Sequence, residues 1–278
     1  VTKLAPAVAA SLALVGCTHT PPAPSPPPLR LQLRGVDVAS ETIDALRKIG
    51  AVRITVADPH EHRDIELEGV SATKLFDAVF GPTWRGADDV VATCRDGFHP
   101  SIPVKTFLEH DAYFAFARPE SADFAIQETP TKRADVGPYY VVWSKGAGDD
   151  PPEPAWPYQV TGVEVTDFAT RFAAVIPPAG SDALTQEGFE RFRTFCLPCH
   201  TINGRGGGSG PELNYPVSVT EYFAEPLLRD WIADPARVRW QSKMPAPLPP
   251  GDEQARSIDA IIAYLKTMAH AKRAPVTP

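Results

Sequence analysis

Cys196-Leu197-Pro198-Cys199-His200 is the stretch on which the reading of this chain turns. Two thiols three positions apart, with a histidine directly after the second, form the C-x-x-C-H pattern of c-type haem attachment. On one helical turn each thiol can form a thioether to a vinyl side of the porphyrin. The adjacent imidazole then stands under the iron as proximal ligand. Two other chemistries also use close cysteine pairs. A redox dithiol wants a thioredoxin-like βαβ context, whereas this pair ends a predicted helix. A zinc site wants a second Cys/His pair at ligand spacing, and none follows. The pattern therefore predicts one covalent haem c, held by Cys196 and Cys199, with His200 on the iron.

The flanks agree. Asp182 can cap a helix from Ala183 that carries Gly188, Phe189 and Phe192 ahead of the motif. A glycine there permits close helix approach, because it has no side chain. Beyond His200 runs the glycine-rich stretch TINGRGGGSGPEL, residues 201–213. Tyr222 to Ala233 places Phe223, Leu227, Leu228, Trp231 and Ile232 mostly on one face, predicting a helix that ends at Asp234-Pro235. Met244 follows in a proline-rich loop, Lys243-Met244-Pro245-Ala246-Pro247, and Ile258, Ile261, Ile262, Tyr264, Leu265 and Met268 line a last helix.

Residues 182–272 so arranged resemble a class I cytochrome c, an all-α domain. The resemblance implies that the small and aromatic residues of the first helix pack on the last one. It implies that the H…G…GP.L loop lies along the haem edge, and that the Pro211 carbonyl region accepts the Nδ1 proton of His200. It also implies that the W-I-x-x-P…K-M-P run delivers Met244 as the sixth ligand, while Met268 is core. A neutral thioether favours ferrous iron, and two filled axial positions leave none for dioxygen or peroxide. Electron transfer is the expected function.

The whole chain has 278 residues, enough for one large or two ordinary domains. Its 43% hydrophobic content supports real cores and excludes disorder throughout. A net charge of −7 and a pI near 5.5 give no sign of nucleic-acid binding. No stretch is long enough to span a bilayer.

A linker at 177–181, rich in proline and glycine, precedes the haem segment. Residues 29–176 read as one mixed α/β unit. Ser40 can cap a helix over Glu41–Ile49, and Ala51–Val56 and Ile65–Val70 alternate as strands. Ser71 caps a helix over Ala72–Phe80. Asp89–Thr93 reads as a buried strand leading into a turn at Cys94-Arg95-Asp96-Gly97-Phe98, and Pro103 opens a helix over Val104–Glu109. Tyr139–Trp143 and Val160–Phe168 are further strands. The order of LEGVSATKLFDAVFG, VVATCRDGFHPSIPVKTFL and GPYYVVW resembles small molybdopterin-oxidoreductase-like domains of the sulfite oxidase type. The segment is short for a pterin cofactor, and Cys94 does not lie where that family's metal-ligating cysteine does. A degenerate, cofactor-free relative is expected. Cys94 then reads as a small buried hydrophobe, and His60 and His62 as parts of a solvated turn, with a copper or zinc site the less favoured alternative.

At the start, Lys3 and an apolar run end in Leu14-Val15-Gly16-Cys17. This resembles a bacterial lipobox, which implies a signal segment over 1–17 and lipidation of Cys17; an ordinary secretory signal is the alternative. Residues 18–28, rich in proline, would form an extended tether. Thr18 follows the cysteine where the inner-membrane retention signal has Asp, which favours the outer membrane. The combined expectation is an α+β multidomain, periplasmic, lipid-anchored monohaem cytochrome. Its redox protein partner would be a molybdenum-type dehydrogenase or a terminal oxidase. Two rivals stay open: a fused oxidoreductase whose first domain binds its own cofactor and reduces the haem, and a sensory or assembly lipoprotein.

Overall fold

The computed structural model describes residues 25–121, 123–129, 131–144 and 155–275, a β-rich N-terminal part followed by a helical C-terminal part. Cys17 lies outside the described residues. The first part runs β1 (Leu29–Leu33), β2 (Val36–Glu41), α1 (Ile43–Gly50), β3 (Ala51–Asp58), β4 (Arg63–Ser71), α2 (Ala72–Phe80), β5 (Asp89–Cys94), β6 (Ser101–Pro103) and α3 (Val104–Glu109). It continues with β7 (Ala112–Ala117), β8 (Ala125–Thr129), β9 (Lys132–Asp135), β10 (Tyr140–Trp143), β11 (Val160–Thr166) and α4 (Phe168–Arg171). One sheet has the order β2-β1-β11-β5-β6, a second β10-β7-β4-β3, and β8 and β9 form a separate hairpin. Only β1 with β11 is a parallel pair among the described ladders of these sheets.

The second part runs α5 (Ala183–Phe195), a small hairpin of β12 (Thr201–Ile202) and β13 (Arg205–Gly206), α6 (Val219–Tyr222), α7 (Glu225–Ala233), α8 (Pro235–Val238) and α9 (Asp252–Ala269). Asp182 caps α5 by accepting the Thr185 N–H at 2.8 Å. Gly188 is where α5 meets α9: a Cβ there would overlap the Ala260 carbonyl oxygen and stand 2.9 Å from the Tyr264 Cβ. Phe189 and Phe192 stack against Tyr264 beside that contact.

Several elements depart from expectation, each for a local reason. The helix expected from Glu41 begins at Ile43, capped by Thr42, because Ser40 and Glu41 extend β2 opposite Arg30 and Leu29. The single helix expected over 222–233 is two. Pro226 lacks an N–H and fits only a first turn, so α6 closes after its Ser218–Glu221 capping box and α7 restarts around the proline. Pro235 likewise opens α8 beneath the Asp234 cap.

The two parts share a wall. Successive side chains of a strand point to opposite faces. In β5, Val90, Ala92 and Cys94 enter the first core with Leu31, Phe76 and Val163. Val91 instead enters the helical core with Phe168, Phe172, Val175, Phe189 and Phe192. Asp89, 1% exposed, points the same way to Arg193 of α5. The segment 168–176 therefore packs on α5 and α9, and the Tyr264 hydroxyl donates to the Val175 carbonyl at 2.6 Å.

Candidate haem-binding site

Helix α5 delivers the motif. Its last turn passes directly into Cys196, and the His200 N–H donates to the Cys196 carbonyl at 2.9 Å, folding the five residues into a tight turn. Cys196 is 8% exposed and packs in the helical core with Phe192 and Leu197. His200 Nδ1 lies 2.9 Å from the Pro211 carbonyl oxygen. A carbonyl only accepts, so Nδ1 carries the proton and Nε2 keeps its lone pair. Burial lowers the His200 pKa, with the Pro211 bond opposing, so the ring is held neutral. Gly210 is obligatory beside it, since a Cβ would stand 2.6 Å from ring atoms of His200.

Met244 is half-buried in the loop after α8, and its sulfur accepts the Trp231 indole N–H at 3.3 Å. One sulfur lone pair is thus engaged by α7. Met268 is 1% exposed within the helical core. The donor set of two thiols, one imidazole presenting Nε2 and one thioether is chemically that of a haem c held through Cys196 and Cys199.

Sequence reasoning missed the residues that shape the loop between these donors. Glu212 accepts backbone N–H groups from Asn203 at 2.9 Å, Gly204 at 2.8 Å, Asn214 at 2.9 Å and Tyr215 at 3.1 Å. The Asn203 amide donates to the carbonyls of Ala174 at 3.0 Å and Ala271 at 3.1 Å, and the Asn214 amide to Asn203 at 2.9 Å and Met268 at 2.9 Å. A single carboxylate after Gly-Pro carries no sequence signal for this role. Burial alone would raise the Glu212 pKa, but hydrogen bonds led by Gly204 outweigh it and hold the carboxyl below its ordinary range. A depressed folded pKa contributes stability above the unfolded value of 4.5 that is lost as pH falls through the folded one. Glu212→Gln should therefore cost about 1–2 kcal/mol at neutral pH and flatten the acid limb of a stability-versus-pH curve. An unchanged acid limb in denaturant titrations would remove Glu212 from this role.

In the first part, Cys94 is 4% exposed, and burial with the nearby Asp96 pushes its thiol up to about 12. That thiol is inert at neutral pH. The His60–His62 turn is organised by the Asp58 carboxylate, which accepts the His60 and Glu61 N–H groups at 2.9 and 2.8 Å and the Tyr140 hydroxyl at 2.8 Å. Among the described residues no cluster of three His, Cys, Asp or Glu side chains is placed to hold a metal ion.

No curated protein matches the chain. The cytochrome c family model matches residues 185–269. The match spans α5 from Thr185 onward, the Cys196–His200 turn, the Met244 loop and all of α9. The C-terminal part of this chain is similar to the cytochrome c family over these residues, a match that implies covalently bound haem c and supports a haem-binding, electron-transfer role with a redox protein as partner.

Proposed function

We propose that Cys196 and Cys199 form the thioethers of a single haem c, that His200 and Met244 are its axial donors, and that the chain is a lipid-anchored periplasmic electron carrier. The observation that carries the reading is the bond between His200 Nδ1 and the Pro211 carbonyl. It fixes the tautomer that leaves Nε2 as donor and orients the ring within the motif. Trp231 does the corresponding work for Met244, restraining the sulfur through one lone pair. A bound haem would supply a one-electron iron couple, and a neutral thioether donor together with a neutral imidazole would raise its potential. With His200 and Met244 as its donors, a bound haem would relay electrons and would offer a substrate no place on the metal.

The Met244 loop also suits a protein partner. From Pro235 to Pro250 it carries Arg237, Arg239 and Lys243 and no acidic residue, and Trp240 is 85% exposed among them. An apolar contact ringed by cations favours an acidic partner surface. A molybdenum-type dehydrogenase or a terminal oxidase is the partner class we favour. Support for a sulfite-oxidase-like, cofactor-free first domain is the order β4–α2, β5–turn–α3 and β10 over the resembling segments. The lipobox at Leu14–Cys17, with haem attachment as an extracytoplasmic modification, supports the address.

Intact mass and metal analysis of the purified protein test these points together. The expected result is a mature chain beginning at an acylated Cys17, heavier by one haem that acidified acetone does not extract, with iron near one per chain and no molybdenum. Extractable haem would remove the thioether assignment. An unacylated N-terminus would remove the anchor. Stoichiometric molybdenum would favour the fused oxidoreductase.

A further inference from the structure

The first domain grips the haem motif on both sides. Ahead of it, Arg193, almost one helical turn before Cys196, donates to both oxygens of Asp89 at 2.9 and 2.7 Å, and its guanidinium lies 3.9 Å from the Phe168 ring centroid. Ser101 completes the Asp89 shell with a hydroxyl donated at 2.8 Å. Behind it, the turn after β5 is laid against the glycine loop. The His99 N–H donates to the Pro198 carbonyl at 2.8 Å, and Pro198 is one of the two residues between the motif cysteines. The Gly208 N–H donates to the Gly97 carbonyl at 2.8 Å.

The loop's own amides alternate in direction. Gly207 N–H goes inward to Leu197 at 2.8 Å and Gly210 N–H inward to Cys199 at 2.7 Å, whereas Gly208 N–H goes outward to the first domain. At Gly207 and Gly97 the contacts leave no room for a side chain. A Cβ on Gly207 would overlap the Pro198 carbonyl. Gly97 has φ +86°, and a Cβ there would stand 2.8 Å from the Ser209 nitrogen and 2.9 Å from the Gly208 carbonyl carbon. A loop held only from its inner side would leave the Pro198 carbonyl and the Gly208 amide to water; here the first domain supplies both partners.

We infer that Gly97 and His99 are positioning residues of the haem site, through which the first domain holds the backbone around Pro198 and Gly206–Ser209 and thereby sets the haem environment. This gives the first domain a part in electron transfer that requires no cofactor of its own. The inference rests on the proposed attachment of haem at Cys196 and Cys199.

The test is made on the full-length haem protein with matched variants. Gly97→Ala adds a methyl group against the loop at a positive φ. Gly35→Ala adds the same strain at φ +79°, with nothing within 4 Å of the new atom, and serves as control. His99→Ala removes the half-buried ring beside the loop and keeps the backbone N–H that bonds Pro198. Gly97→Ala should raise amide exchange at Gly208 about tenfold, the equivalent of one weakened hydrogen bond. It should also alter the Soret circular dichroism and lower the midpoint potential, because water admitted to the haem edge favours the ferric charge. His99→Ala should shift the potential the same way by less, and Gly35→Ala should leave all of these at wild-type values. Loss of stability in Gly97→Ala with potential and Soret spectrum unmoved, matching Gly35→Ala, overturns the inference and leaves the contact merely structural. Wild-type protein without covalent haem overturns the proposed function and this inference with it. Covalent haem intact in all variants, with no shift in Gly97→Ala or His99→Ala, overturns this inference alone.

Discussion

Met244→Ala should turn an electron carrier into a ligand-binding haem protein. The sulfur is presented from a loop whose following prolines, Pro245 and Pro247, restrict the backbone, and the Trp231 indole holds it by a further bond. An alanine leaves the sixth position to water. The ferric spectrum should lose its weak near-infrared sulfur-to-iron band and move toward high spin. The midpoint potential should fall, since a donor favouring ferrous iron has gone. Reduced Met244→Ala should bind carbon monoxide readily, and the wild type slowly or not at all. If the wild-type ferrous protein binds carbon monoxide at once and Met244→Ala behaves identically, the sixth position is naturally open, and haem catalysis or gas sensing replaces electron relay.

Gly188→Val should be the most damaging substitution outside the donors themselves. The helices α5 and α9 approach so closely at Gly188 that an added Cβ meets the backbone of Ala260, which cannot swing aside as a flexible side chain would. Overpacking of this kind costs about 3 kcal/mol or more, roughly 15 °C in Tm for a domain of this size. The motif sits at the end of α5, so a displaced helix carries Cys196 and His200 with it. Thermal denaturation followed at the Soret band measures the loss. A Tm within 3 °C of wild type would mean that the crossing relaxes easily and that Gly188 is no determinant of it.

Features written in contiguous residues were legible from sequence. The Ser71 cap and the apolar face of α2 sit within one short window, and both appear as expected. The Asp182 cap, the small residue at 188 and the motif were readable for the same reason. The Pro226 break was present in the sequence, but the apolar face of 222–233 outweighed it in a periodicity reading, although a proline so close to the start marks a first turn. Strand β7, AYFAFA, lacks the alternation of apolar and polar residues that marks a half-buried strand, and it became an inner strand only through partners far away in sequence, β4 and β10. The loop chemistry was least legible. Glu212 works by accepting backbone N–H groups, and His99 and Gly97 bond the haem loop mostly through their main chains, so no residue type announces either contact.

Strand β5 answers to two masters, and a comparison of relatives should register it. Positions 90, 92 and 94 are constrained by the β-rich core, and positions 89 and 91 by the helical one. A homologue of the first domain that circulates without the haem domain would keep small apolar residues at 90, 92 and 94. It would be released at 91, where a water-facing polar residue would replace valine, and at 89, where the carboxylate would have no arginine to meet. Residue 91 would therefore change in step with gain or loss of the haem domain, while its two neighbours in the strand stayed fixed. A boundary drawn through the interdomain linker hides this dependence, because the joint between the halves is carried by alternate residues of one strand well upstream of it.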